Sequence, residues 1–236
     1  MNIIILAGAK TTEVGSYPLY LTEINHVPLI QTLCENFPSN NSSNIIIPIN
    51  EEDDKKYNIR KSLEQISNKP QIVLCNKTKG ALITALLCID KINLDDSLLV
   101  INGNEYIDRD INIMVEEFSS SNSDMSLVCF ESIHPRYSHA VIENDTVERV
   151  LFHNVEGSKA CTGMVWFRDA SMFFDSACKA ILKKSGSETS FYFNEVVNQM
   201  ILDDKTVTAV EIESKDYYPL KGSSDLINLQ ELLRGL

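Results

Sequence analysis

The sequence predicts an α/β fold: a Rossmann-like three-layer α/β/α sandwich with a mostly parallel central sheet and a smaller antiparallel part. Three observations predict it. Short β-branched runs alternate with helical stretches through residues 1–120, which implies crossover units. The first four runs are continuously apolar rather than alternating, the pattern of strands covered on both faces. The second half then changes character, with two runs meeting at Asn144-Asp145, a hairpin signal.

The predicted strands of the first half are Ile3 to Leu6, Asn44 to Ile49, Gln71 to Cys75 and Leu98 to Ile101, followed by Met125 to Phe130. Each is bounded by turn residues. Pro28 to Asn36 reads as a helix, since proline suits a first turn. Lys79 to Ile92 reads as a second helix, capped by Thr78; its apolar residues cover nearly all sides, so it should be buried. Asp110 to Phe118 is a third. Glu51-Glu52-Asp53-Asp54, with Lys55 and Lys56 behind, predicts a solvated helix start, and Ser119-Ser120-Ser121-Asn122-Ser123 an exposed loop. Beyond the hairpin strands, His139 to Glu143 and Val147 to Phe152, lie a strand at Gly163 to Phe167 and a helix from about Ala170 to Lys184. Then follow a loop at Ser185-Gly186-Ser187, a helix at Phe193 to Leu202, a strand at Val207 to Ile212 and a final helix at Ser223 to Leu233.

At 236 residues with no internal repeat and no long linker, the chain reads as one domain, 1–236, with a nucleotide-type half (1–120) and a second half (121–236). Its 44% hydrophobic and 23% charged residues exclude a disordered or fibrous chain. The balance of 21 Lys+Arg against 33 Asp+Glu gives −12, a field that repels phosphate backbones and anionic lipid, so nucleic acid and membranes are not the expected partners. No apolar run is long enough to span a bilayer, no signal peptide is visible, and cytoplasmic localisation is expected. Six cysteines, Cys34, Cys75, Cys88, Cys129, Cys161 and Cys178, are spread singly and read as buried reduced thiols. A homo-oligomer is compatible with the sequence.

The candidate chemistry starts at the first strand, which runs into Leu6-Ala7-Gly8-Ala9-Lys10-Thr11-Thr12. Such a small-residue turn lets backbone N–H groups approach a ligand, and phosphates favour it. A second candidate is Ser132-Ile133-His134-Pro135-Arg136-Tyr137-Ser138-His139. It follows a strand whose carboxyl end should border a ligand crevice, and the Arg136 guanidinium suits bidentate phosphate contact. The bland alternative is a loop that ties down the second half.

The opening strand with Leu6-Ala7-Gly8, then Pro18 and Pro28-Leu29-Ile30, resembles the signature of the sugar-nucleotide pyrophosphorylases, nucleotidyltransferases with a glycosyltransferase-A-like fold. Later segments resemble that family in order: Thr78-Lys79-Gly80-Ala81-Leu82, Val100-Ile101-Asn102-Gly103-Asn104, Val147 to Phe152, Ala160 to Phe167, and Tyr217 to Leu226. The resemblance implies a nucleotide site at Leu6, Ala7, Gly8, Lys79, Gly80, Ala81 and Gly103. Past Gly103 it implies an acceptor site at Thr162 and Gly163; His134 and Arg136 are added from the 132–139 segment, and Lys10 is proposed as a substitute for the family's arginine, so that Lys10 and Arg136 are the candidate catalytic cations. It further implies Mg²⁺ as cofactor, with Asn104 at the family's metal aspartate and Glu105 as a substitute ligand.

The departures are specific. The triphosphate arginine is absent from Lys10-Thr11-Thr12-Glu13, the lysine after the proline is Leu19, the two metal aspartates are Asn104 and Leu220, and the sugar-phosphate lysine is missing. Phosphoryl-type transfer depends on positioning and charge neutralisation, so these changes remove its main devices, and an amide at 104 brings no charge to a metal. Three readings follow. One is a nucleotidyltransferase that joins a nucleoside triphosphate to a phosphorylated sugar or similar small phosphate for surface-polysaccharide synthesis. The second is a catalytically degenerate nucleotide- or sugar-binding relative. The third is a glycosyltransferase, for which Asp108-Arg109-Asp110 formally supplies a D-x-D; a helix cap explains those residues equally.

Overall fold

A computed structural model describes residues 1–8, 17–24, 26–37, 43–152, 157–184, 190–221 and 223–234. Lys10, Glu13 and the loop at 185–187 lie outside them. In chain order the strands are β1 (Asn2–Leu6), β2 (Glu23–Ile24), β3 (Val27–Pro28), β4 (Asn44–Asn50), β5 (Gln71–Cys75), β6 (Leu98–Asn102), β7 (Glu105–Ile107), β8 (Met125–Glu131), β9 (Ser138–Glu143), β10 (Thr146–Phe152), β11 (Lys159–Phe167), β12 (Val207–Ile212) and β13 (Tyr217–Pro219). The helices are α1 (Leu29–Glu35), α2 (Glu51–Tyr57), α3 (Ile59–Leu63), α4 (Ala81–Leu86), α5 (Ile111–Ser120), α6 (Ala170–Lys183), α7 (Phe193–Leu202) and α8 (Ser223–Arg234).

The expected α/β sandwich is present. Strands β5, β4, β1 and β6 run parallel, and β11 continues the sheet antiparallel to β6. Beyond it, β8 pairs antiparallel with β11, and β12 parallel with β8. The β9–β10 hairpin joins the sheet through His139 opposite Ala160. Strand β11 therefore divides: its first residues lie between β8 and β9, its last between β8 and β6, with a register shift between Cys161 and Val165. Alternation along the buried strands fills two cores. Ile3, Ile5, Ile45, Ile47, Leu99 and Ile101 face α1 and α5, while Ile4, Leu6, Ile46, Leu98 and Val100 face α4, α6 and α7. This is how a continuously apolar strand is used on both sides.

Several expectations are corrected. The helix predicted over Lys79 to Ile92 is α4, only Ala81–Leu86, with a 3-10 turn at Ile89–Lys91. One side is buried, through Leu82, Ala85 and Cys88, while Leu87 and Ile89 are exposed. Thr78 does not cap it. Gly80 does, at φ +118°, and the Thr78 hydroxyl bonds instead with the Gly80 carbonyl and Thr84. The acidic start of α2 is not wholly solvated: Asp53 and Asp54 are buried. Asp54 accepts from Arg60 N at 2.9 Å and Arg60 Nε at 2.6 Å, satisfying the next helix after a left-handed Asn58. Ser119 and Ser120 belong to α5, and Ser123 is buried in a hydroxyl chain through Ser121, Ser126 and Thr208. Asp110 caps α5 by accepting from Asn112 N, so the D-x-D is used as a cap. Cys178 is exposed, against the expectation of burial, while Cys34, Cys88 and Cys129 are buried and Cys75 and Cys161 partly so; all six are free. The β7–β13 pair was not foreseen, because each member is three residues long and only distant pairing defines it.

Candidate functional site

The four parallel strands end at one edge of the sheet, and a cleft of about 570 Å³ opens there. Its walls are the segments that follow those ends: Leu6-Ala7-Gly8 after β1, Asn50 and Glu52 after β4, Cys75 to Thr78 after β5, and Asn102 and Asn104 at β6, with Gly80, Ala81 and Thr84 of α4 closing one side. Open parallel sheets bind ligands at this edge, and the volume lies within the ~300–1,000 Å³ of small-molecule sites. Of the expected nucleotide residues, Leu6, Ala7, Gly8, Gly80 and Ala81 line it; Lys79 and Gly103 do not. Lys79 acts through its carbonyl, accepting from Phe191 N at 2.7 Å. Gly103 packs where a Cβ would lie 2.9 Å from the Leu6 carbonyl oxygen. At Gly80 a Cβ would lie 2.3 Å from the Phe191 carbonyl oxygen, so glycine lets the α4 entrance and the chain at 191 touch.

The junction with the second half is built on Asn102, Glu105 and Gly163. Extending the β11–β6 register brings Gly163 opposite Asn102. A Cβ on Gly163 would lie 1.8 Å from Asn102 Nδ2 and 2.8 Å from Glu105 Oε1. Into that space Asn102 Nδ2 donates to Glu105 Oε1 at 2.9 Å, and Gly163 N donates to Glu105 Oε2 at 2.6 Å. Burial raises the Glu105 pKa above the usual carboxylate value, against the lowering effect of these hydrogen bonds. Glu105 is thus neither solvated nor turned to the cleft; it is a buried brace.

A second hollow of about 160 Å³ lies over β11, sharing Ala81 and Asn102 with the cleft. Thr162 and Gly163 line it, together with Ser138, Phe152, Cys161, Tyr192, Phe193 and Asn194. Phe152 and Tyr192 pack with ring centroids 5.0 Å apart. Asn198 fastens α7 to the edge strand by bonding both backbone groups of Val150. The buried Asn194 Oδ1 has no hydrogen-bond partner among the described residues, a condition a ligand hydroxyl would relieve. Among the described residues no Lys, Arg, His, Asp or Glu lines this hollow.

His134 and Arg136 line neither space. His134 Nδ1 accepts from Arg136 N at 3.1 Å, and the Arg136 guanidinium donates to Tyr137 and lies 4.6 Å from that ring, with Lys221 Nζ 5.2 Å from it. Tyr137 packs on Phe130 and Tyr217, so the segment ties the second half to β13. Asn104 is engaged through its nitrogen, with Nδ2 donating to the Leu220 carbonyl at 3.0 Å. Among the described residues no group of three or more His, Cys, Asp or Glu is placed to hold a metal. With Glu105 sealed and position 104 neutral, this set does not fit a protein-held Mg²⁺.

Sequence reasoning missed Asn50, Asn76 and Thr84 in the cleft, and Tyr192 and Asn194 in the hollow. Asn50 and Asn76 directly follow strand ends, a positional signal available from the runs themselves. Tyr192 and Asn194 carried none, because only folding brings them to β11.

No known family profile and no curated protein matches the chain in sequence. Solved structures match its fold along its length. A protein from Bacillus anthracis, provisionally assigned as a glucose-1-phosphate thymidylyltransferase and solved with sucrose, has TM-score 0.80 at 19% identity, over 100% of this chain and 96% of that one. A nucleoside-diphosphate-sugar pyrophosphorylase from Vibrio cholerae RC9 has 0.77 at 16%, over 98% and 100%. An inositol-1-phosphate CTP transferase from T. maritima has 0.70 at 12%, over 100% and 97%. The fold is therefore of the sugar-nucleotide nucleotidyltransferase type.

Proposed function

We propose that this chain is a nucleotidyltransferase that joins a nucleoside monophosphate unit to a small phosphorylated acceptor, a phosphorylated sugar or similar compound, in surface-polysaccharide synthesis. The observation that carries the reading is the pair of adjoining spaces, a cleft at the parallel-strand ends and a smaller hollow over β11, which meet at Ala81 and Asn102. The half at 1–120 would hold the nucleotide, with Leu6, Ala7, Gly8, Gly80 and Ala81 around the nucleoside and Lys77 and Lys10 as cations near its phosphates. The half at 121–236 would hold the acceptor. Because the described lining of the hollow is uncharged and carries Phe152, Tyr192 and Asn194, the acceptor's uncharged part belongs against Phe152 and Tyr192 with a hydroxyl on Asn194, and its phosphate toward Asn102.

An acceptor phosphate oxygen attacks the α-phosphorus, the bond to the β-phosphate bridging oxygen breaks, and pyrophosphate leaves. The protein's contribution is orientation and exclusion of water; charge neutralisation of the phosphates by magnesium would have to come with the nucleotide substrate. Incubation with the four NTPs, magnesium and a panel of phosphorylated sugars tests this. Pyrophosphate release that needs both substrates is expected.

A second reading, a non-catalytic nucleotide-binding relative, is favoured by one observation: the acid beside Asn104, Glu105, has both oxygens taken up by Asn102 and Gly163. Nucleotide-dependent thermal stabilisation with no turnover would select it. UDP release from a UDP-sugar would select a glycosyltransferase instead.

A further inference from the structure

Two thiols meet beside the smaller hollow, one of them in its wall. Cys129 of β8 and Cys161 of β11 are direct cross-strand partners, and their sulfur atoms are 3.9 Å apart. Opposed residues in an antiparallel ladder have Cα atoms about 4.5–5.5 Å apart, inside the ~4.4–6.8 Å that a disulfide spans. Bringing the sulfurs to about 2.05 Å therefore calls for side-chain rotation rather than strand movement. Their exposure differs in a useful way. Cys129 is wholly buried, while Cys161 is partly exposed and lines the hollow. The hydrogen bond with Cys161, together with burial, holds the Cys129 thiol well above its usual pKa. The other four thiols are placed differently: Cys34 is buried on α1, Cys75 donates to the Ile49 carbonyl, Cys88 to the Thr84 carbonyl, and Cys178 lies exposed on α6.

We propose that Cys129 and Cys161 are an oxidant-modification site, closing to a reversible disulfide when a hydroperoxide enters the smaller hollow. Cys161 is the reacting thiol because the solute reaches it first. Its sulfur takes one peroxide oxygen as the O–O bond breaks, giving a sulfenic acid, and the other oxygen leaves as water (or an alcohol) with the thiol proton. The sulfur of Cys129 then displaces the sulfenic hydroxyl, which departs as water with the Cys129 proton, and the S–S bond forms. Two thiols are oxidised and one peroxide is reduced. The bond fastens β8 to β11 beside the register shift and turns the Cys161 sulfur from the hollow toward Cys129. Intracellular disulfides of this transient kind act in redox sensing.

The test uses the full reduced chain, folded, treated with hydrogen peroxide, then alkylated after unfolding and mapped by peptide mass spectrometry. A single linkage between the peptides carrying positions 129 and 161 is expected, lighter by two hydrogens and restored by dithiothreitol. It should persist in Cys178→Ser and vanish in Cys161→Ser, where Cys129 stays reduced at the same peroxide dose. The proposal is overturned if wild-type Cys129 and Cys161 both take up the alkylating reagent after peroxide. Cys161 ending as a sulfinic acid beside a reduced Cys129, or linkage running only through Cys178, overturns it equally. Neither result depends on which reaction, if any, the cleft performs.

Discussion

Gly163 is held to a hydrogen side chain by two neighbours. A methyl group there would overlap Asn102 Nδ2 and press on Glu105 Oε1, so Gly163→Ala should cost about 1–3 kcal/mol by overpacking, read as a lower denaturation midpoint with an unchanged slope. Glu105 itself should show a pH signature. Its folded-state pKa is raised by burial, so the folded state binds the proton more tightly than the unfolded one. Its contribution is full below the unfolded value of 4.5 and is lost as pH rises through the raised value. The stability advantage of wild type over Glu105→Gln should therefore shrink as pH rises from below the unfolded value through the raised folded one, measured by thermal melts; an advantage that grows on that rise contradicts the assignment. Gly163 was legible in the sequence through a family-like segment, but its reason was not, since the reason is the side chains of Asn102 and Glu105. Glu105 misled because an acid after a strand is ordinarily solvated, and only the return of β11 buries it.

At the scale of elements, the α4 entrance depends on a backbone conformation. Gly80 at φ +118° lies against the Phe191 carbonyl oxygen, so Gly80→Ala adds left-handed strain of roughly 1–3 kcal/mol to a backbone clash. It should destabilise the protein and also weaken any nucleotide binding, because Gly80, Ala81 and Thr84 form one wall of the cleft. A Gly80→Ala chain with unaltered melting temperature would contradict this. The parallel strands were readable because burial on both faces writes itself as unbroken apolar runs. Helix α4 was not, because its apolar residues suggested a long buried helix while Leu87 and Ile89 are exposed. The β7–β13 pair is set by partners more than a hundred residues apart, as Tyr217 opposite Ile107 illustrates, and nothing local announces it.

For the whole molecule, the division of labour follows from topology. Strands ending at one edge make the cleft, and the split strand β11 makes the hollow beside it. The order of motifs along the chain was enough to anticipate that architecture, whereas cations and metal ligands could not be placed by matching motifs. Arg136 and His134 serve a loop over Tyr137, and Glu105, the acid beside Asn104, is turned inward. The account stands on the cleft holding a nucleoside. Among the described residues a Cβ at Gly8 would meet nothing within 4 Å, and Gly8 lines the cleft, so Gly8→Trp directs a large side chain into it. Isothermal titration of wild type and Gly8→Trp with each of the four NTPs and magnesium is the most direct measurement. The account predicts one-to-one binding of at least one nucleotide by wild type with a Kd below about 1 mM, weakened tenfold or more in Gly8→Trp, a loss of about 1.4 kcal/mol. No binding of any of the four by wild type, or equal binding by both proteins, would contradict it.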